Sequence, residues 1–407
     1  MIQHVQGPVA YLTGEYPRAT DTFIQREVAA LRAHGLTVET CSIRRTGVEH
    51  HVGEEQRSEA ARTFHVLEQT GKPLVSLRAH LAALRAPGRY LRALRLAWKT
   101  APGGIKGHIY NLIYFAEAVV LADHMRRRGV VHLHNHIAKS SCTVAMLASA
   151  VSGIPYSFTL HGPDIFFEPY HWRLDEKIAR ASFVACISHF CRSQAMIFSA
   201  PAHWDRLHIV HCGVDPALYD SPRGAPGKRL LFVGRLAAVK GVPVLFRAMQ
   251  AVAADHPDLS LTLIGDGPER RMLEDQARAM GLSDRVQFAG YKGQAEVAQA
   301  LRETDLLVLP SFAEGLPVVL MEALAARVPV LTTRIAGVGE LVEDGISGRL
   351  VAPGDPQALA EALRALLEAP HADRAAMGEA GRARVVAEFD SVTEAGKLAA
   401  LIAGGAA

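Results

Sequence analysis

The sequence predicts an α/β protein built from two open parallel-sheet domains facing each other across a cleft. Two observations carry that expectation. Apolar runs of four to seven residues alternate with longer amphipathic stretches, the pattern of parallel βα units, and that series occurs twice. Between the two series lies Asp215–Lys228, with three prolines, two glycines and no hydrophobic period, which is linker composition. A chain of 407 residues has room for two to three domains at about 150 residues each.

In order along the chain, VAYLT reads as the first strand, followed by a helix from about Asp21 to His34 that Gly35 stops, and then TVETCSI. VVHLHNH, YSFTLHG, FVACIS and LHIVHCG read as the remaining strands of the first domain, residues 1–214. After the linker, RLLFVG, LTLIG, VQFAG, LLVLPS, PVLTT and SGRLV are the strands of a second domain over 229–385. Two more helical stretches follow, and the last, about 386–407, is expected to fold back on the first domain. Ser140–Pro163 has no formal charge and is long enough to span a bilayer. Gly153 and Pro155 divide it, so a helix followed by a buried strand is expected rather than a membrane span.

The charge sum, 44 basic against 41 acidic residues with 21% charged overall, is that of a globular protein and argues against nucleic-acid binding by bulk charge. Five scattered cysteines without ligand spacing indicate neither a disulfide framework nor zinc. The first residues lack a basic segment and a long apolar run, so the mature chain is expected to begin here and to be cytoplasmic.

Open parallel sheets bind ligands at the carboxyl ends of their strands. After RLLFV come Gly234, Arg235 and, five residues on, Lys240. A diphosphate leaving group would be neutralised by such a pair of cations; two solvated cations at a helix start are the plain alternative. After LLVL come Glu314, Gly315, Leu316 and Pro317, then VVLMEALAA with Glu322. Eight residues at 100° each place the two glutamates on roughly one helical side, with Glu314 at the helix start and Glu322 two turns inside. Backbone N–H groups at that start attract phosphate, and a carboxylate inside an apolar helix suits ribose hydroxyls. A capping glutamate plus an exposed one is the alternative, and it makes Glu322 costly amid Val, Leu and Met.

Gly234-Arg235 through Lys240-Gly241, Gly265-Asp266-Gly267-Pro268 and the spacing of Glu314 and Glu322 resemble the motifs of retaining nucleotide-sugar glycosyltransferases of family four, whose two-Rossmann fold is called GT-B. The first domain, with Glu15–Ile24, Val131–His136 and Thr159–Asp164, resembles the branch that builds colanic acid and other bacterial exopolysaccharides. The resemblance implies that Arg235 and Lys240 hold the diphosphate, that Glu314 meets the transferred sugar, that Gly315 to Pro317 add backbone contacts and that Glu322 binds ribose. It implies further that the base sits near Tyr291, that His161 faces the anomeric centre and that Gly14 lets sugar or phosphate come close. Gly14 stands in a loop less glycine-rich than in many relatives, which leaves the acceptor side open. The catalytic set so implied is Glu314, His161, Arg235 and Lys240, acting by front-face displacement with the leaving phosphate assisting deprotonation of the acceptor.

The donor is expected to be a UDP-sugar or a GDP-sugar and the acceptor a saccharide, free or lipid-linked. No cofactor is expected. His132, His134 and His136 share one strand face and mimic a metal face, but no fourth ligand is near in sequence and the family needs none. There is also no Asp-x-Asp to hold a metal on the diphosphate. Residues 72–106 carry eight basic residues and no acidic one, with Leu84, Leu91 and Trp98 recurring every seven. This is either a solvated basic helix or a contact with an anionic membrane, which would place the protein peripherally on the inner face of the plasma membrane. A GT-B nucleotide-sugar epimerase or a non-catalytic nucleotide-sugar-binding module is the alternative reading.

Overall fold

Strands rich in Val, Leu, Ile and Phe, most of them largely buried, assemble into two all-parallel sheets, one in each of two compact units. The computed structural model describes residues 5–18, 21–51, 53–220, 224 and 227–404, without the side chains of Glu49 and Asp164. The first unit comprises Met1–His211 and Val392–Ala407, the second Cys212–Ser391.

The first sheet contains β1 (Val9–Glu15), β2 (Val38–Arg44), β3 (Phe64–His65), β4 (His132–His136), β5 (Tyr156–Leu160), β6 (Val184–Cys186) and β7 (Leu207–Ile209). Its order is β3-β2-β1-β4-β5-β6-β7. Register places Tyr11 beside His134 and His136 beside Thr159. The second sheet contains β8 (Arg229–Val233), β9 (Ser260–Ile264), β10 (Val286–Gly290), β11 (Leu306–Leu309), β12 (Val330–Thr333) and β13 (Gly348–Val351), in the order β10-β9-β8-β11-β12-β13. In both sheets the strand order reverses beside the first strand, between β1 and β4 and between β8 and β11. A doubly wound sheet opens a crevice at such a reversal, at the carboxyl ends of the strands.

The helix Thr22–Ala33 and the terminal helix Ser391–Ile402 share one core with β1, in which Tyr11, Ile24, Val28 and Leu31 are buried together with Leu398, Ala399 and Ile402. The chain therefore leaves the first unit between His211 and Cys212, earlier than the proline-rich 215–228, and re-enters it at Val392 rather than near 386. Pro216–Tyr219 forms a 3-10 turn of the second unit, while residues 221–223, 225 and 226 of the expected linker lie outside the described residues.

The helix Ser140–Ser152 ends at Gly153, whose φ of 78° is the left-handed conformation that glycine adopts without strain. β5 follows directly. Among the described residues no helix is long and apolar enough to cross a membrane. The basic stretch departs from the single seven-residue stripe. Pro87 starts a new helix, so Leu84 closes the helix Pro73–Ala83 while Leu91 and Trp98 belong to the helix Pro87–Lys99. A third helix, Ile105–Arg128, follows.

Candidate functional site

The loops after β8 and β11, on either side of the reversal in strand order, carry the predicted charged residues Arg235, Lys240 and Glu314. β8 delivers Gly234 and Arg235, and the chain then turns through Ala238–Lys240 into Gly241, whose φ is 65°. A Cβ at Gly241 would lie 2.1 Å from the carbonyl oxygen of Pro310, so only glycine lets the loops after β8 and β11 pass this closely. The Phe312 N–H donates to the Val239 carbonyl at 2.7 Å and fastens them together.

At that junction the Lys240 ammonium lies 2.5 Å from Glu314 Oε1, and the Ser311 hydroxyl donates to the same oxygen at 2.6 Å. Glu314 is 9% exposed. A carboxylate so desolvated needs its counter-charge, and Lys240 supplies it. Ser311 is a partner that the sequence reading missed; its position three residues before Glu314, in the loop just past a buried strand, is the available signal. The Ser311 carbonyl in turn accepts from the Thr333 hydroxyl at 2.6 Å. Arg235 is exposed, and among the described residues it has no ion pair or hydrogen bond.

The two glutamates do not lie on one helix. The helix spans Val318–Ala325, so Glu314 stands in the loop ahead of it and Glu322 sits one turn inside rather than two. Pro317 fixes φ near the value its ring demands and starts the helix late. Leu316 and Pro317 are buried, Gly315 is half-buried, and Glu322 is buried.

A second group of predicted residues forms the floor beside β8. The Gly265 N–H donates to the Gly290 carbonyl at 2.8 Å, and the Gly234 N–H to the Ile264 carbonyl at 2.9 Å. Gly265 has a φ of 130°, and a Cβ there would lie 2.0 Å from the Gly234 carbonyl. Tyr291, just past β10, is 58% exposed with its hydroxyl 3.5 Å from the Asp266 carbonyl.

In the first unit, Gly14 lies inside β1 near its carboxyl end, and a Cβ there would meet nothing within 4 Å. His161 follows β5. Its Nε2 is 2.8 Å from His136 Nδ1, and His136 Nε2 is 2.8 Å from Glu27 and 2.6 Å from the Tyr11 hydroxyl. A carboxylate accepts only, so Glu27 selects the His136 tautomer protonated at Nε2. His136 Nδ1 then accepts from His161 Nε2–H, which leaves the lone pair of His161 on Nδ1. Burial, and then the neighbouring His136, push the His161 pKa well below its ordinary value and keep the ring neutral. Glu27 and Tyr11 escaped the sequence reading because the helix and strand that carry them are distant in sequence from β4.

The histidine face is engaged inside the protein. Glu27, His134 and His136 place one ligand atom each within 4.8 Å of one another, so an acid not near in sequence joins two of the three histidines. His134 already meets the hydroxyls of Ser157 and Thr159 at 2.8 and 2.9 Å, and His132 meets Ser157 at 2.7 Å. With both His134 ring nitrogens and both His136 ring nitrogens hydrogen-bonded, the cluster fits a hydrogen-bond network better than a metal centre.

Residues 221–384 match the family model described as glycosyl transferases group 1. Over 193 residues the chain is 36% identical to a glycogen synthase of Mycobacterium tuberculosis, a match covering 46% of this chain and 46% of that protein, so it spans about half of that relative. A putative colanic acid biosynthesis glycosyltransferase of Salmonella typhimurium is 26% identical over 97% of this chain and 99% of its own length. An uncharacterized glycosyltransferase of Methanocaldococcus jannaschii is 31% identical over 62% of this chain and 70% of that protein. The crystal structure of Anabaena HepE in complex with UDP and glucose superposes with a TM-score of 0.75 at 18% identity, covering 98% of this chain and 100% of that one, and shares the fold. The two doubly wound sheets are those of a GT-B protein, and the chain belongs to the group 1 glycosyl transferases.

Proposed function

We propose that this chain is a retaining, metal-independent glycosyltransferase. It moves a sugar from a nucleotide diphosphate sugar, a UDP-sugar before GDP-mannose, to a lipid-linked saccharide in the assembly of a cell-surface polysaccharide. The observation that carries the proposal is the Lys240–Glu314 pair at the crevice between β8 and β11, with Arg235, exposed and without an ion pair among the described residues, on the loop that also carries Lys240. The Anabaena complexes with UDP and with UDP-glucose support the choice of base, and the colanic acid relative supports the product class.

As the glycosidic bond to the diphosphate breaks, negative charge grows on the leaving group. Arg235 and Lys240 offset it without a divalent ion. Glu314 accepts hydrogen bonds from hydroxyls of the transferred sugar, the N–H groups of Gly315 and Leu316 approach the donor, and Glu322 accepts from ribose. Gly234, Gly265 and Tyr291 line the nucleotide, and Gly14 lets the sugar or phosphate of the donor come close. His161 meets the anomeric centre as a neutral ring whose tautomer Glu27 and His136 set. The leaving phosphate takes the acceptor proton while the acceptor oxygen attacks on the face it departs from, so the configuration is retained.

The test is a thermal-shift panel of UDP, GDP and ADP with EDTA present, followed by transfer assays. Selective stabilisation by one base is expected. Glu314→Ala is expected to abolish transfer while the nucleotide still stabilises the protein, and Arg235→Ala to weaken both. Full activity in Glu314→Ala would overturn the assignment.

A further inference from the structure

The helices Pro73–Ala83, Pro87–Lys99 and Ile105–Arg128 leave apolar side chains uncovered. Leu74, Leu77 and Leu81 are spaced i, i+3 and i+7 on the helix Pro73–Ala83, and all three are exposed, Leu74 by 82%. Trp98 at the end of the next helix is exposed, as are Ile105 and Ile109 at the start of the third, and the Trp98 ring lies 4.3 Å from that of His108. Inward positions on the first two helices are held by small residues, Ala79 and Ala83, then Ala93 and Ala97, all buried. A soluble surface rarely concentrates large apolar residues in this way.

Charge selects the occupant. From Gln69 to Ala116 there are eight Lys and Arg and no Asp or Glu. Among the described residues only Arg78 of the eight sits in an ion pair, with Asp123 at 3.1 Å. A second copy of this chain would bring the same positive charge to the contact. An anionic bilayer accepts both features, with the leucines, tryptophan and isoleucines entering the acyl boundary and the cations remaining among the headgroups. A cavity of about 460 Å³ lined in part by Lys106, Tyr110, Tyr114 and Trp172 adjoins the start of the third helix and continues the aromatic and basic character inward.

We infer that residues 73–113 dock the first unit onto an anionic lipid leaflet. The inference rests on, and deepens, the reading of a lipid-linked acceptor, and it is tested by binding alone so that donor chemistry does not enter.

The experiment is co-sedimentation of the full chain with phosphatidylcholine vesicles, with and without phosphatidylglycerol, at low and high salt. Binding is expected only with phosphatidylglycerol and weaker at high salt. Leu77→Ser/Leu81→Ser and Arg92→Glu/Arg95→Glu are each expected to lose binding about tenfold or more. Both variants should keep the parent melting temperature and its shift with UDP, because these side chains are exposed. No binding, equal binding to both vesicles, or variants that bind like the parent would overturn the inference. So would a dimer by light scattering that the same substitutions dissolve, since it would assign the surface to a second copy. Vesicle binding without any response to nucleotides would support docking and overturn the donor reading instead.

Discussion

Lys240 and Glu314 share a site from which water is largely excluded, so each is costly without the other. Lys240→Met is expected to lower the melting temperature, because a desolvated carboxylate loses its partner at a cost of up to about 3–5 kcal/mol when fully buried and less for this lysine, which retains some exposure. Lys240→Met/Glu314→Gln should recover much of the melting temperature but none of the transfer, which separates the structural part of the pair from the chemical part. In the other unit, Glu27→Gln presents an amide to His136 that can donate, which removes the bias toward one tautomer; transfer should fall by about an order of magnitude or more while nucleotide binding is unchanged. The residue types at 235, 240, 314 and 322 were legible because each follows a recognisable strand. Tyr11 and Glu27 were not, because partners joined by folding leave no spacing in the chain; Ser311 does carry a spacing signal, three residues before Glu314.

At the scale of elements, the loops hold the site more than the helices do. Gly241→Ala would force a side chain onto the Pro310 carbonyl in a backbone conformation that alanine resists, so loss of both stability and the nucleotide shift is expected by calorimetry and thermal shift. Gly265→Ala should act likewise through the Gly234 carbonyl. Apolar runs and alternating patterns announce most strands, and twelve of the thirteen among the described residues are readable in the sequence. β3 was not, since two residues, Phe64 and His65, carry no period. The helix after Glu314 begins later than its apolar pattern, which continues back through Leu316, indicates, because Pro317 decides where helical hydrogen bonding begins. The basic stretch misled in the opposite way: a seven-residue recurrence suggested one helix, and Pro87 divides it.

For the whole molecule, buried histidines and a buried acid set the pH range. Burial pushes His124 and His132 down to about 4, and His134 well below its ordinary value. The unfolded chain takes up these protons below about pH 6.5, so the stability they contribute is present above that pH and is lost as pH falls toward 4. Glu117 runs the other way. Burial raises it to about 7, so its contribution is present at acid pH and is lost as pH rises through 7. Melting temperature against pH should therefore peak near neutrality, and Glu117→Gln should raise it at pH 8 and change it little at pH 5. All of these groups lie in the first unit, so any separate transition of the second unit should move less. The terminal helix belongs to that same pH-sensitive unit, and Leu398→Ala, which empties space in a core shared with Ile24 and Val28, should cost about 2–5 kcal/mol by chemical denaturation.

The two crossings, at 211–212 and 391–392, have a topological consequence. The second unit is an insertion within the first, entered and left at one place: Val214 bridges Asp390 on one side, and the His211 N–H donates to Glu394 at 2.8 Å on the other. A single nick at either crossing leaves the halves covalently tethered by the other strand. Excision of 212–391 would leave two ends already held together by a hydrogen bond, so host and guest can exchange in evolution or in the laboratory without rethreading either sheet.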